Sequence, residues 1–153
     1  MRGFQRINAL ASRMKKLGLE LQDGNVLREL IIQNEDYIVS LNKDQLNDEG
    51  INSRGVEIAS YAPYTPSTIA RKIKKHQPYD RVTLRDTGRF QRGFHLVVTP
   101  KTFRITSSDK KTGELVDKYG DYIFGLTSEN RNRLIQEILV PYLEDYMIKT
   151  IDE

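Results

Sequence analysis

The sequence predicts an α+β fold: helices around a small antiparallel β-hairpin, with helices at the N-terminal end and a long helix at the C-terminal end. Two apolar patterns and one alternating pattern carry that expectation. Phe4, Ile7, Leu10, Ala11, Met14 and Leu17 recur at helical spacing near the start. Leu134, Ile135, Ile138, Leu139, Tyr142, Leu143, Tyr146 and Met147 do the same near the end. Between them, His95-Leu96-Val97-Val98-Thr99 and Phe103-Arg104-Ile105-Thr106 read as strands joined by the turn Pro100-Lys101-Thr102. A chain of 153 residues fits a single domain, 1–153, in which the helical region 1–50 serves either as an arm or as core packing.

The elements follow in order. Gly18 is expected to end the first helix. Asp23-Gly24-Asn25 reads as a turn, and Asn25 can cap a second helix. Val26, Leu27, Leu30, Ile31, Ile38, Leu41 and Leu46 carry that helix toward Asn47, with a break expected where Asn34, Glu35 and Asp36 weaken its middle. Gly50 and Gly55 flank an irregular link.

The stretch from Tyr61 to Phe94 is the most distinctive. Thr65 can cap a helix whose first residue is Pro66, where a missing amide hydrogen costs nothing. Ile69 and Ile73 share one face of it, while Arg71, Lys72, Lys74 and Lys75 occupy the rest. The result is a short cationic helix that stops before Pro78. Val82-Thr83-Leu84-Arg85 is β-prone. Asp86 or Thr87 can then cap a short helix in which Phe90 and Phe94 share a face. After the hairpin come a polar loop from Ser107 to Gly113 and a helical turn over Glu114 to Lys118. Thr127 or Ser128 caps the last helix, and Pro141 inside its apolar stripe should kink or split it.

Little in the sequence points to catalysis. The absence of cysteine removes disulfides, thiolate nucleophiles and Cys-based zinc sites, and suits a reducing cytoplasm. His76 lies among lysines and His95 opens a strand, so neither has a partner for acid–base work. There is no metalloprotease, EF-hand or Walker motif. Glu144 and Asp145 are adjacent and point to different helix faces, so they make no acid–base pair. The expectation is a protein that is not an enzyme and needs no cofactor or metal. The apolar runs fall short of the roughly 20 residues of a membrane span, and the basic start lacks the apolar stretch of a secretory signal, though its Arg-rich, acid-poor character is also compatible with a transit peptide.

Charge placement says more than the net +3. The first segment and the middle are basic, with Arg89 and Arg92 extending the lysine-rich helix, while Glu137, Glu144, Asp145, Asp152 and Glu153 make the end acidic. These are either solvated faces or opposite-sign surfaces that meet between neighbouring copies. Tyr64, Tyr79 and Phe90 beside the cations leave a small basic nucleic-acid-binding protein as the alternative reading.

Pro63-Tyr64-Thr65-Pro66-Ser67-Thr68-Ile69-Ala70-Arg71-Lys72, followed by Leu84-Arg85-Asp86-Thr87-Gly88-Arg89-Phe90, resembles the phage virion-morphogenesis and tail-completion proteins. That family carries a Pro-Thr-Lys helix, then an Asp-Thr-Gly turn leading to a short helix and a hairpin. Tyr119-Gly120 and Phe124-Gly125-Leu126 resemble its later "Y-A-x-x-h-x-F-G" region, in which h is an apolar residue. Phe90 stands where the family has Leu, and Gly120 where it has Ala. The resemblance covers roughly 61–151, the tail-completion-like core. It implies a structural subunit of a ring of twelve or six copies at the phage head–tail junction, in the virion, assembled in the host cytoplasm. Its partners would be portal or adaptor proteins, tail proteins and the DNA passing through the channel, with no membrane. Arg71, Lys72, Lys74, Lys75, Arg89 and Arg92 would face a neighbour or the DNA. Pro63, Thr65, Asp86, Thr87, Gly88, Phe90, Phe94, Tyr119, Gly120, Phe124 and Gly125 would form the structural motif.

Overall fold

The computed structural model describes residues 2–152. It is mostly helical, with a two-stranded antiparallel sheet and a long C-terminal helix, the α+β arrangement expected from the sequence. The chain divides into two compact units, one of Met1–Gln33, Val98–Thr102 and Asn132–Glu153, the other of Asn34–Val97 and Phe103–Arg131.

In the first unit, helix α1 (Arg2–Asp23) packs against α2 (Asn25–Gln33) and α8 (Val140–Asp152). Gly18 does not end α1, contrary to expectation. The helix continues because Leu17 is buried and Leu21 half-buried, extending the packed face past the glycine. The break falls instead at Gly24, with φ +79°, where a Cβ would come within 2.3 Å of the Pro100 carbonyl oxygen. Two side-chain ties hold α1 to α8: Arg13 donates to the Ile151 carbonyl at 3.1 Å, and the Tyr146 hydroxyl donates to the Glu20 carboxylate.

Pro141 does not split its helix, since residues 128–152 stay helical throughout. A π-helical turn, Ile135–Leu139, precedes α8, and the Val140 amide donates to the Ile135 carbonyl, five residues back. A widened turn makes room for the proline ring, which otherwise clashes with the carbonyl four residues behind it.

The second unit is built on α3 (Glu35–Asp44), which follows a break at Asn34. A π turn, Gln45–Glu49, extends it and ends at Gly50, φ +65°. Ile38, Leu41, Leu46, Ile58, Val82, Ile105 and Ile123 are buried in this unit. Around them lie α4 (Pro66–Lys74), α5 (Arg89–Arg92), strands β1 (Phe94–Val98) and β2 (Phe103–Ser107), and α6 (Thr112–Tyr119). Helix α7 (Ser128–Leu134) begins after Thr127, whose hydroxyl accepts from the Asn130 amide at 3.2 Å, as the expected cap should.

Asn42 and Gln45 are fully buried and polar. They replace the missing sheet partners of the 123–127 stretch. Asn42 donates to the Ile123 carbonyl and accepts from the Gly125 amide, while Gln45 donates to the Gly125 carbonyl and accepts from the Thr127 amide.

Val82 to Arg85 forms no strand, although its side chains are β-prone. Leu84 has φ +53°, which is incompatible with a ladder. Side chains satisfy the backbone instead: the Thr83 amide donates to the Tyr64 hydroxyl at 3.0 Å, and Gln91 donates to the Thr83 carbonyl at 2.8 Å.

Candidate functional site

Thr65 and Pro66 start α4 as expected. The Thr65 hydroxyl accepts from the Thr68 amide at 3.3 Å, and Pro66 occupies the first turn. The helix closes with paired bonds, His76 amide to Ile73 carbonyl at 3.0 Å and Gln77 amide to Lys72 carbonyl at 2.9 Å, around a left-handed His76.

The face that α4 buries differs from the expected one. Ile73 is 50% exposed, whereas Lys72 is only 6% exposed. The Lys72 ammonium donates to the Arg85 carbonyl at 2.8 Å and lies 4.8 Å from the centre of the Tyr64 ring. Its aliphatic stem supplies the packing that Ile73 does not, and the ring face and carbonyl take the charge. Arg71, Lys74 and Lys75 remain exposed.

The Asp86-Thr87-Gly88 turn follows. Gly88, with φ +83°, occupies the cap position of α5, not Asp86 or Thr87. Asp86 is diverted: its carboxylate pairs with Lys75, and its carbonyl accepts from Gln77 at 2.7 Å. The hydrogen bond from Lys75 holds the Asp86 carboxyl below the usual carboxylate range, against a partial desolvation that raises it, with further lowering by the charges of Lys75, Arg71 and Lys72. Thr87 reaches the helix more weakly, its hydroxyl accepting from the Arg89 amide at 3.4 Å, and Arg92 donates to the Thr87 carbonyl at 3.2 Å.

Phe90 and Phe94 share a face and meet edge to face with ring centres 5.0 Å apart. Phe124 completes a triangle, 5.8 Å from Phe90 and 5.3 Å from Phe94. Phe90 after the Asp-Thr-Gly turn and Phe124 of the Phe-Gly segment therefore meet in one aromatic cluster. Ser107 adds a tie from β2, its hydroxyl donating to the Phe90 carbonyl at 2.7 Å. Tyr119 is buried and its carbonyl accepts from the Tyr61 hydroxyl at 2.8 Å. Gly120 and Gly125 both have positive φ, and Pro63 is exposed ahead of the α4 cap.

Between α4, the 84–90 turn and the 109–119 segment lies a cavity of about 350 Å³. Leu84, Phe90 and Leu115 supply apolar surface. Arg71, Lys72, Arg85 and Arg89 line it from the first two elements, and Lys110, Lys111 and Lys118 from the third. Its carboxylates are Asp86, engaged by Lys75, and Asp109, which accepts from the Lys111 amide at 2.8 Å. Sequence reasoning singled out Arg71, Lys72 and Arg89 but not Lys110, Lys111 or Lys118. Those three sit in what reads as an ordinary polar loop and helical turn, and only the fold brings them opposite α4. Lys74, Lys75 and Arg92 do not line this cavity. Among the described residues no group of three or more His, Asp or Glu side chains could hold a metal, and no helix is long and apolar enough to cross a membrane.

No family model matches the sequence, and neither a curated protein nor a solved structure matches it.

Proposed function

We propose that this chain is a structural virion protein, one subunit of an oligomeric ring at the head–tail junction of a phage, acting as a neck connector or tail-completion protein and not as an enzyme. The observation that carries the reading is the Phe90–Phe94–Phe124 cluster, which joins the Asp-Thr-Gly segment to the Phe-Gly segment. In that reading Gly88 aims α5, and the aromatic triangle fixes α5 on the hairpin. A mechanical role also fits the surface. Phe4, Ile7 and Met14 form an apolar stripe on α1 that is more than half exposed at each position. Such a stripe is suited to contact with another protein surface.

A ring of six or twelve copies would extend the DNA channel and dock portal or adaptor proteins on one side and tail proteins on the other. The exposed cations Arg71, Lys74, Lys75, Arg89 and Arg92 would face a neighbour's carboxylates or the DNA. Native mass spectrometry and electron microscopy of the protein, alone and with portal and tail proteins, test this. Closed rings that join particles are expected. A chain that stays monomeric, joins no particle and binds DNA with a steep salt dependence would sink the reading. That outcome would favour a small basic nucleic-acid-binding protein, the alternative that the excess of cations around the cavity supports.

A further inference from the structure

We infer that the cavity between α4, the 84–90 turn and the 109–119 segment binds a phosphate-bearing ligand. The charge balance motivates it. Arg71, Lys72, Arg85, Arg89, Lys110 and Lys111 all line the cavity, and none forms an ion pair among the described residues. With Lys118 the cavity gathers seven cations against two carboxylates, Asp86 and Asp109; cations in excess repel one another, and an anion held among them relieves that repulsion.

Lys72 sharpens the point. An ammonium has three donors, and this one has a single carbonyl acceptor and no carboxylate partner although it is 6% exposed. Burying an ammonium without an anion is costly, so a ligand oxygen reaching Lys72 would recover part of that cost.

Phosphate fits better than a carboxylate. A planar carboxylate presents two oxygens and is satisfied by one guanidinium fork. Here arginines and lysines from α4, the 84–90 turn and the 109–119 segment line one cavity. A tetrahedral phosphate with up to three free oxygens and a charge near −2 uses donors from several directions. The apolar surface of Leu84, Phe90 and Leu115, with the Tyr64 and Tyr119 rings, suits an attached sugar or base. The volume, about 350 Å³, lies near the lower end of small-ligand pockets. The phosphate can belong to a free nucleotide or to a nucleic-acid strand. The inference concerns the single subunit and does not depend on ring formation.

The test is calorimetric titration of the full chain with inorganic phosphate, a nucleoside 5′-monophosphate, a short single-stranded oligodeoxynucleotide and an oligoglutamate peptide. Saturable binding of inorganic phosphate with a Kd of about 1 mM or tighter is expected, and tighter binding of the nucleotide. An oligonucleotide that binds tighter still, with a strong salt dependence, would assign the phosphate to a strand; equal or weaker binding would assign it to a free nucleotide. Arg89→Gln and Lys111→Gln should each weaken binding about fivefold or more without changing the unfolding temperature, since each removes a charge-assisted bond from an exposed side chain. Lys72→Met should weaken it further; if that variant fails to fold, the two exposed variants still decide. Lys15→Gln on α1, which does not line the cavity, should change nothing. No phosphate or nucleotide binding up to about 10 mM would overturn the inference. So would binding of the acidic peptide alone, or equal weakening by Lys15→Gln.

Discussion

The Asn42 side-chain oxygen accepts the Gly125 amide hydrogen at 3.0 Å, from a carboxamide that is fully buried. Its nitrogen donates to the Ile123 carbonyl at 3.1 Å. One residue thus satisfies two backbone groups that no strand pairs. Asn42→Ala leaves both without partners. Each orphaned group costs roughly 1–3 kcal/mol, so a loss of about 3 kcal/mol is expected. In a chain of this size that lowers Tm by roughly 6–12 °C. Asn42→Asp should be at least as damaging, because it keeps an acceptor, loses the donor and buries a charge. Urea unfolding with all three proteins measures the difference.

His76 occupies the left-handed position that closes α4, with φ +54°, and its side chain is exposed. Glycine takes that conformation without a Cβ penalty. His76→Gly should therefore stabilise the protein by about 0.5–1 kcal/mol, although it removes side-chain atoms. His76→Val should destabilise it, since a β-branched residue is poorly tolerated at positive φ. Paired thermal melts give the sign directly.

Much of the fold was legible because it rests on periodicity and caps. The end helices, the hairpin and the Thr65-Pro66 start follow from spacing and local hydrogen bonding. The misses came where a tertiary partner decided the outcome. Lysine patterning could not show that Lys72 is buried, since only the Arg85 carbonyl and the Tyr64 ring make that burial tolerable. Asp86 and Thr87 read as alternative caps, but Lys75 takes the Asp86 carboxylate and Gly88 holds the cap position. Val82 to Arg85 read as β-prone but forms no strand, because side-chain propensity is blind to the positive φ at Leu84. The cavity was half visible: the cations of α4 stood out, whereas Lys110, Lys111 and Lys118 gain meaning only from proximity.

Gly120 stands where the phage family of the proposed function would carry Ala. Its backbone has φ +83° and ψ 162°, a region that is essentially restricted to glycine. A Cβ there would meet nothing within 4 Å, so crowding is not the obstacle. Gly120→Ala should cost roughly 1–3 kcal/mol through backbone strain alone. Alanine would then weaken this protein, a result that equilibrium unfolding of G120A checks. A neutral effect would mean that the 119–121 backbone relaxes to a helical or extended conformation.

Tyr146 links α8 to α1 by donating its hydroxyl hydrogen to the Glu20 carboxylate. That bond, with desolvation and the Glu20 charge adding to it, pushes the phenol pKa up to about 12 from an ordinary value of 10.0. The folded state therefore holds the proton more tightly than the unfolded chain does. The stabilisation is fully present below about pH 10 and is lost as the pH rises from there through about 12. Tyr146→Phe removes both the bond and the titration. The stability difference between the wild type and Y146F should be constant at neutral pH and shrink as the pH passes 10, because ionised Tyr146 faces the Glu20 carboxylate as a like charge. Titrations common to both proteins cancel in the difference. Urea midpoints for the pair at several pH values between about 8 and 11 supply the measurement. A difference that stays flat across that range would show that the Glu20 bond does not hold the phenol proton.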